Sequence, residues 1–225
     1  MIDKEREPRN FDRGRGDRVK TGAEIVPIDA DHPEEAFAKC REVIKAGGVV
    51  VYPTDTFYGL GADPRNAAAV RRLYDIKGRP EGQPILLLIS KADEVRNWAA
   101  AVSFHAEELI RKHWPGPLTL IFDARRDVIP ELTAGTGTIG LRVPGSAPAR
   151  QLLAFLGAAL TGTSANISGV QSPRTAEEAA FALGDRVDLI LDGGAASGLE
   201  PSTIVDVRKE PFRLIRQGAV KLNLS

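Results

Sequence analysis

Val49-Val50-Val51-Tyr52-Pro53-Thr54-Asp55-Thr56-Phe57-Tyr58-Gly59-Leu60-Gly61, followed after a helical stretch by Lys77-Gly78-Arg79-Pro80, decides how this chain folds. A β-branched run closed by an aromatic residue and a proline reads as a buried strand that stops abruptly. The hydroxyl-rich loop and glycines after it read as a tight polar turn. A buried strand ending in such a loop is where an α/β protein places its ligand. The lysine and arginine downstream point to a ligand that carries negative charge.

The rest of the chain supports one α/β domain. Its 225 residues, 43% of them hydrophobic, are enough to bury a sizeable core. Thirty Lys/Arg balance thirty Asp/Glu, so any attraction to phosphate must come from local clustering rather than net charge. Cys40 is the single cysteine, which excludes an intramolecular disulfide and a cysteine zinc site. His32, His105 and His113 are too scattered to suggest a metal centre. No apolar run approaches the ~18 residues of a membrane span, and the mixed-charge N-terminus has no signal-peptide core. A cytoplasmic protein is the expectation. Residues 1–21 carry seven Lys/Arg and five Asp/Glu with few large apolar groups, and read as a disordered charged arm.

From Ile25 onward strand and helix patterns alternate. Asp31 is the expected cap of a first helix, with Ala36, Phe37, Cys40, Val43 and Ile44 on its apolar face and Gly47-Gly48 at its end. Val70, Leu73, Tyr74 and Ile76 mark a second helix, and 85–89 a second strand. Helices are expected at 91–100 and 103–113, capped by Ser90 and Ser103, and at 147–156. Thr175 and Glu178 form a capping box for a helix at 176–183. Strands are expected at 118–122, 138–143, 158–161, 188–192, 202–207 and 212–216. The whole is an α/β fold with a mixed sheet.

Five groups of residues can carry chemistry. Thr54, Asp55, Thr56 and Tyr58 either bind a polar small molecule or satisfy the turn's own backbone. Lys77 and Arg79 either complement the helix dipole or aim a point charge and a planar fork at one polyphosphate. Thr161-Gly162-Thr163-Ser164-Ala165-Asn166-Ile167-Ser168-Gly169 offers hydroxyls and backbone N–H groups to an anion, and no histidine stands near it to activate a serine. Arg142, inside the apolar strand Leu141-Arg142-Val143, needs a carboxylate, from Asp206, Asp192 or a ligand. Ser202 and Arg216 fall at the same end of an expected hairpin. No P-loop sequence occurs.

Taken in order, these motifs, with Trp114-Pro115-Gly116-Pro117-Leu118-Thr119, Pro201-Ser202-Thr203 and Arg216-Gln217-Gly218, resemble the YrdC-like family, the threonylcarbamoyl-adenylate synthases. The resemblance covers about residues 25–220. It implies a twisted mixed sheet with flanking helices and a large, positively lined concave cavity. It implies synthesis of threonylcarbamoyl-AMP and pyrophosphate from L-threonine, bicarbonate and ATP, with Mg2+ accompanying ATP. The product serves threonylcarbamoyl transferase proteins that modify tRNA, with weak tRNA contact expected beside catalysis.

Carried over by position, Thr56, Arg142, Gly162 and Ser202 hold threonine. Lys77, Arg79, Gln83, Thr138, Ser164, Asn166, Ser172 and Arg216 surround ATP, with Lys77 and Arg79 neutralising its phosphates. Leu88 stands where some relatives have histidine. The resemblance implies a single-domain form, with residues 22–225 as the catalytic domain. Hydrogenase-maturation carbamoyltransferases, which are longer and rich in zinc-binding cysteines, fit less well. A YciO-like paralogue or a non-catalytic RNA-binding module is the alternative, and the 6% aromatic content and balanced charge argue against a primary RNA role.

Overall fold

A computed structural model describes residues 22–78 and 82–222. The expected N-terminal arm, 1–21, and Arg79 lie outside the described residues. In chain order the elements are β1 (Glu24–Pro27), α1 (Glu34–Lys45), β2 (Val50–Tyr52), β3 (Gly59–Gly61), α2 (Ala67–Lys77), β4 (Leu87–Leu88), a 3-10 helix (Ala92–Asn97) and α3 (Phe104–His113). There follow β5 (Leu118–Asp123), α4 (Pro130–Thr133), β6 (Thr138–Arg142), α5 (Ala147–Leu156), β7 (Leu160–Thr161), β8 (Thr163–Ser164) and α6 (Ala176–Leu183). A 3-10 turn (Gly184–Arg186), β9 (Leu189–Asp192), β10 (Thr203–Asp206) and β11 (Arg213–Arg216) complete the order.

The strands form two mixed sheets where the sequence suggested one. The first runs β1-β9-β2-β3-β8 and the second β11-β10-β5-β6-β4-β7. β2 lies parallel to β9 and antiparallel to β3, so both its edges are paired, and each face of the run 49–52 packs into a core cluster. Val49 and Val51 enter the main core; Val50 and Tyr52 enter a second cluster with Phe37 and Cys40 of α1 and Leu152 and Leu153 of α5. Burying such side chains stabilises the fold by about 1.5–3 kcal/mol each.

The second sheet obeys the two-residue period of a strand. Leu118, Leu120, Phe122, Ile139, Leu141 and Val205 point into the main core. Their neighbours Thr119, Ile121, Thr138, Gly140, Arg142 and Ile204 line a cavity on the opposite face. The core therefore fixes the sheet, and the sheet presents the cavity.

Several local expectations change. The cap of α1 is Pro33, with no side-chain hydrogen bond, and Asp31 instead sits in a turn in which its N–H donates to Asp29 Oδ1. The segment 91–100 forms a short 3-10 helix after Lys91, and Ser90 donates its hydroxyl to Glu94 instead of capping. Ser103 does cap α3, accepting from Ala106 N. Thr175 caps α6, while Glu178 reaches back to Arg174 N, one residue beyond the usual box partner.

Candidate active site

The cavity has a volume of about 470 Å³. Thr56, Lys77, Gln83, Thr138, Arg142, Gly162, Ser164, Asn166, Ser172, Ser202 and Arg216, drawn from distant parts of the chain, all line it. Of the residues expected at the site, only Arg79 falls outside the described residues. The described lining includes Lys77, Arg142 and Arg216 and no carboxylate.

One part of the wall is built around Arg142, the last residue of β6, which is 4% exposed. Its Nε donates to Gly116 O at 2.9 Å and its Nη1 to Thr56 Oγ1 at 3.3 Å. Its Nη2 forms an ion pair with Asp55. The protein partner is thus Asp55, not Asp206 or Asp192. Asp206 is held by Arg208, whose hydrogen bonds outweigh burial and keep that carboxyl below its ordinary range. Asp192 accepts from Tyr58 and from Gly194 N. The loop after β2 presents Thr56 because Thr54 Oγ1 donates to Phe57 O at 2.6 Å and accepts from Thr56 N, closing a tight turn.

A second part of the wall is built around Lys77, the last residue of α2. Asn66 caps the start of this helix, and Gly78 ends it at a φ of 54°, a left-handed conformation that favours glycine. Lys77 is 3% exposed. Its Nζ donates to Ser164 O at 2.7 Å, Asn166 O at 2.9 Å and Asn166 Oδ1 at 3.3 Å. Ser168 N donates back to Lys77 O.

This bend supplies fewer backbone donors than its sequence suggests. The N–H groups of Thr161, Gly162, Ala165, Asn166 and Ser168 are spent on Ala62, Leu86, Tyr58, Ser164 and Lys77 carbonyls. The residues facing the cavity there include Ser164, Asn166, Ser168 and Ser172.

Arg216 of β11 closes a third side. Its Nη2 donates to Ser202 O at 2.8 Å and to Ser202 Oγ at 3.1 Å. Ser202 Oγ also shares a 2.9 Å hydrogen bond with Thr119 Oγ1. Thr119 had no assigned role in the sequence reading. Its signal was available: it is the polar residue at a cavity-facing position of an otherwise apolar strand.

Gly162 lies where the chain crosses from β7 in one sheet to β8 in the other. A Cβ there would stand 2.7 Å from Leu88 Cγ and 2.8 Å from Leu86 Cδ1, so only glycine fits. Burial pushes the hydroxyls of Tyr52 and Tyr58 well above the ordinary tyrosine range. Both donate hydrogen bonds, to Thr161 O and Gly194 O, and neither is placed to act as a base.

The Sua5/YciO/YrdC family model, described as "Telomere recombination", matches residues 42–218. The chain belongs to the Sua5/YciO/YrdC family. It is 40% identical over 178 residues to a threonylcarbamoyl-AMP synthase of Thiobacillus denitrificans, covering 79% of this chain and 94% of that protein. Among solved structures, Pyrococcus abyssi Sua5 complexed with L-threonine superposes with a TM-score of 0.83 at 32% identity. That match covers 87% of this chain and 58% of the archaeal one, so this chain spans well under two thirds of it. Escherichia coli YciO superposes with a TM-score of 0.82 at 29% identity, covering 90% of this chain and 98% of that one. The match to the Sua5/YciO/YrdC family contains every cavity-lining residue described above.

Proposed function

We propose that the protein is an L-threonylcarbamoyladenylate synthase, a nucleotidyltransferase that makes threonylcarbamoyl-AMP, pyrophosphate and water from L-threonine, bicarbonate and ATP. The observation that carries this reading is one cavity lined by both a buried arginine, Arg142, and a buried lysine, Lys77. Family membership at 40% identity to a named synthase supports it. Residues 22–225 are the catalytic unit in this reading.

Arg142, with Thr56, Gly162 and Ser202, holds threonine, the guanidinium taking its carboxylate. Lys77, Arg79, Gln83, Thr138, Ser164, Asn166, Ser172 and Arg216 surround ATP. The amine of threonine attacks the carbon of bicarbonate or CO2 and becomes a carbamate. A carbamate oxygen then attacks the α-phosphorus, and pyrophosphate leaves. Charge builds on phosphate oxygens, so fixed cations and hydroxyl donors do most of the work. Holding the reactants together supplies up to ~7–11 kcal/mol.

Among the described residues no group of three or more His, Cys, Asp and Glu could cage a metal. Mg2+ would enter with ATP in this reading, adding to the charge neutralisation given by Lys77 and Arg79. The product passes to threonylcarbamoyl transferase proteins acting on tRNA in the cytoplasm, with weak tRNA contact here. Among the described residues no helix is long and apolar enough to cross a membrane.

The test is pyrophosphate release with ATP, L-threonine and bicarbonate, each omitted in turn. Release is expected only with all three. Release that continues without threonine would sink the synthase reading.

A further inference from the structure

Asp55 stands inside the opening motif, yet its side chain is not part of the cavity wall. It is 12% exposed and forms the ion pair with Arg142 Nη2. Both of its carboxylate oxygens and Arg142 Nη2 are shut off from solvent, with each other as charged partners. The carboxylate is boxed in. A Cβ on Gly145 would stand 2.8 Å from Asp55 Oδ2, so the bare backbone of the turn after β6 makes room for it. From another side, a Cβ on Gly198 would meet Asp55 O at 2.5 Å and Thr56 Cα at 2.7 Å, so that loop lies directly on the motif. Arg142 therefore reaches the cavity with a fixed negative charge already beside it.

An arginine and an arginine–aspartate pair are different receptors. A lone buried guanidinium attracts any anion, phosphate included. A pair has no net charge, so an incoming anion meets repulsion from the aspartate along with attraction from the arginine. A zwitterion brings its own cation, which offsets that repulsion. Arg142 itself lines the cavity, so a ligand there meets the pair through the arginine.

We propose that Asp55, acting through Arg142, is a specificity-determining residue that makes this part of the cavity select a zwitterionic amino acid over a net anion of the same shape. The inference rests on the reading of Arg142 as the amino-acid carboxylate site and adds the residue that sets its charge preference.

The test is calorimetric titration of the full chain with L-threonine and with (2S,3R)-2,3-dihydroxybutanoate, in which hydroxyl replaces ammonium. Wild type is expected to bind threonine more tightly. Asp55→Asn is expected to shrink the ratio of the two dissociation constants by at least about tenfold, since a like charge no longer stands beside the arginine that meets the anion. An unchanged ratio, or equal weakening of both ligands as a merely structural role would give, overturns the proposal.

A second measurement needs no variant and covers an Asp55→Asn chain that fails to fold. Inorganic phosphate is expected not to displace threonine from wild type, and displacement overturns the proposal. Wild type that binds no threonine at all instead overturns the reading of the site, and this inference with it.

Discussion

An ammonium group at 3% exposure is held only by dense hydrogen bonding or an opposite charge, and at Lys77 the 164–166 bend supplies three acceptors. The lysine thus does two things at once. It brings a positive charge to the cavity wall, and it shapes the bend that presents Ser164 and Asn166. The first role was legible in Lys77-Gly78, since a cation at a glycine-stopped helix end is a local signal. The second was not, because the partners lie 87 and 89 residues away. Both roles make Lys77→Ala costly. Loss of a preorganised donor should lower the rate of pyrophosphate release on the order of 10²-fold or more. Leaving the Ser164 and Asn166 carbonyls buried without their donor should cost a further ~1–3 kcal/mol of stability, read as a lower urea midpoint. An unchanged rate would remove Lys77 from the site; an unchanged midpoint would remove it from the bend.

The crossing from β7 to β8 is where the two sheets exchange the chain, and it depends on a missing side chain. Gly162→Ala would drive a methyl group against Leu86 and Leu88 of the β4 segment, displacing the strand edge on which the cavity rests. Overpacking of this kind costs about 1–3 kcal/mol. Trimming the obstacle should return much of it, so Gly162→Ala with Leu88→Ala is expected to be less destabilised than the sum of the two single variants. Strict additivity in a denaturation cycle would refute the steric account.

The same region explains which elements the sequence made visible. The run 49–52 was readable because both its faces are apolar. β3 was not, since Gly59, Leu60 and Gly61 carry no β-propensity. They form a strand because the Tyr52 ring lies over them: a Cβ on Gly61 would stand 2.7 Å from Tyr52 Cε1. The expected strand at 85–89 shortens to Leu87–Leu88, which alone pairs with both β6 and β7.

Alternating apolar runs revealed an α/β protein but not its division into two sheets, because pairing between segments far apart leaves no local mark. That division decides how ligands should act on the whole molecule. The cavity takes Thr56 from the loop between β2 and β3 of one sheet, Arg142 and Arg216 from β6 and β11 of the other and Ser202 from just before β10, while Lys77, Ser164 and Asn166 tie α2 to β8. Each ligand should therefore clamp a different junction. Threonine is expected to slow amide exchange at Gly116 and Tyr58, whose N–H groups donate to Val143 O and Pro173 O around the arginine. ATP is expected to slow it at Ala165 and Ser168, whose donors hold the lysine bend. With each ligand at 100 times its dissociation constant, global protection should rise by about 2.7 kcal/mol. Hydrogen exchange with each ligand alone separates the outcomes. Protection by threonine confined to the 164–168 bend, or by ATP confined to the 56–58 loop, would reverse the roles given to Arg142 and Lys77.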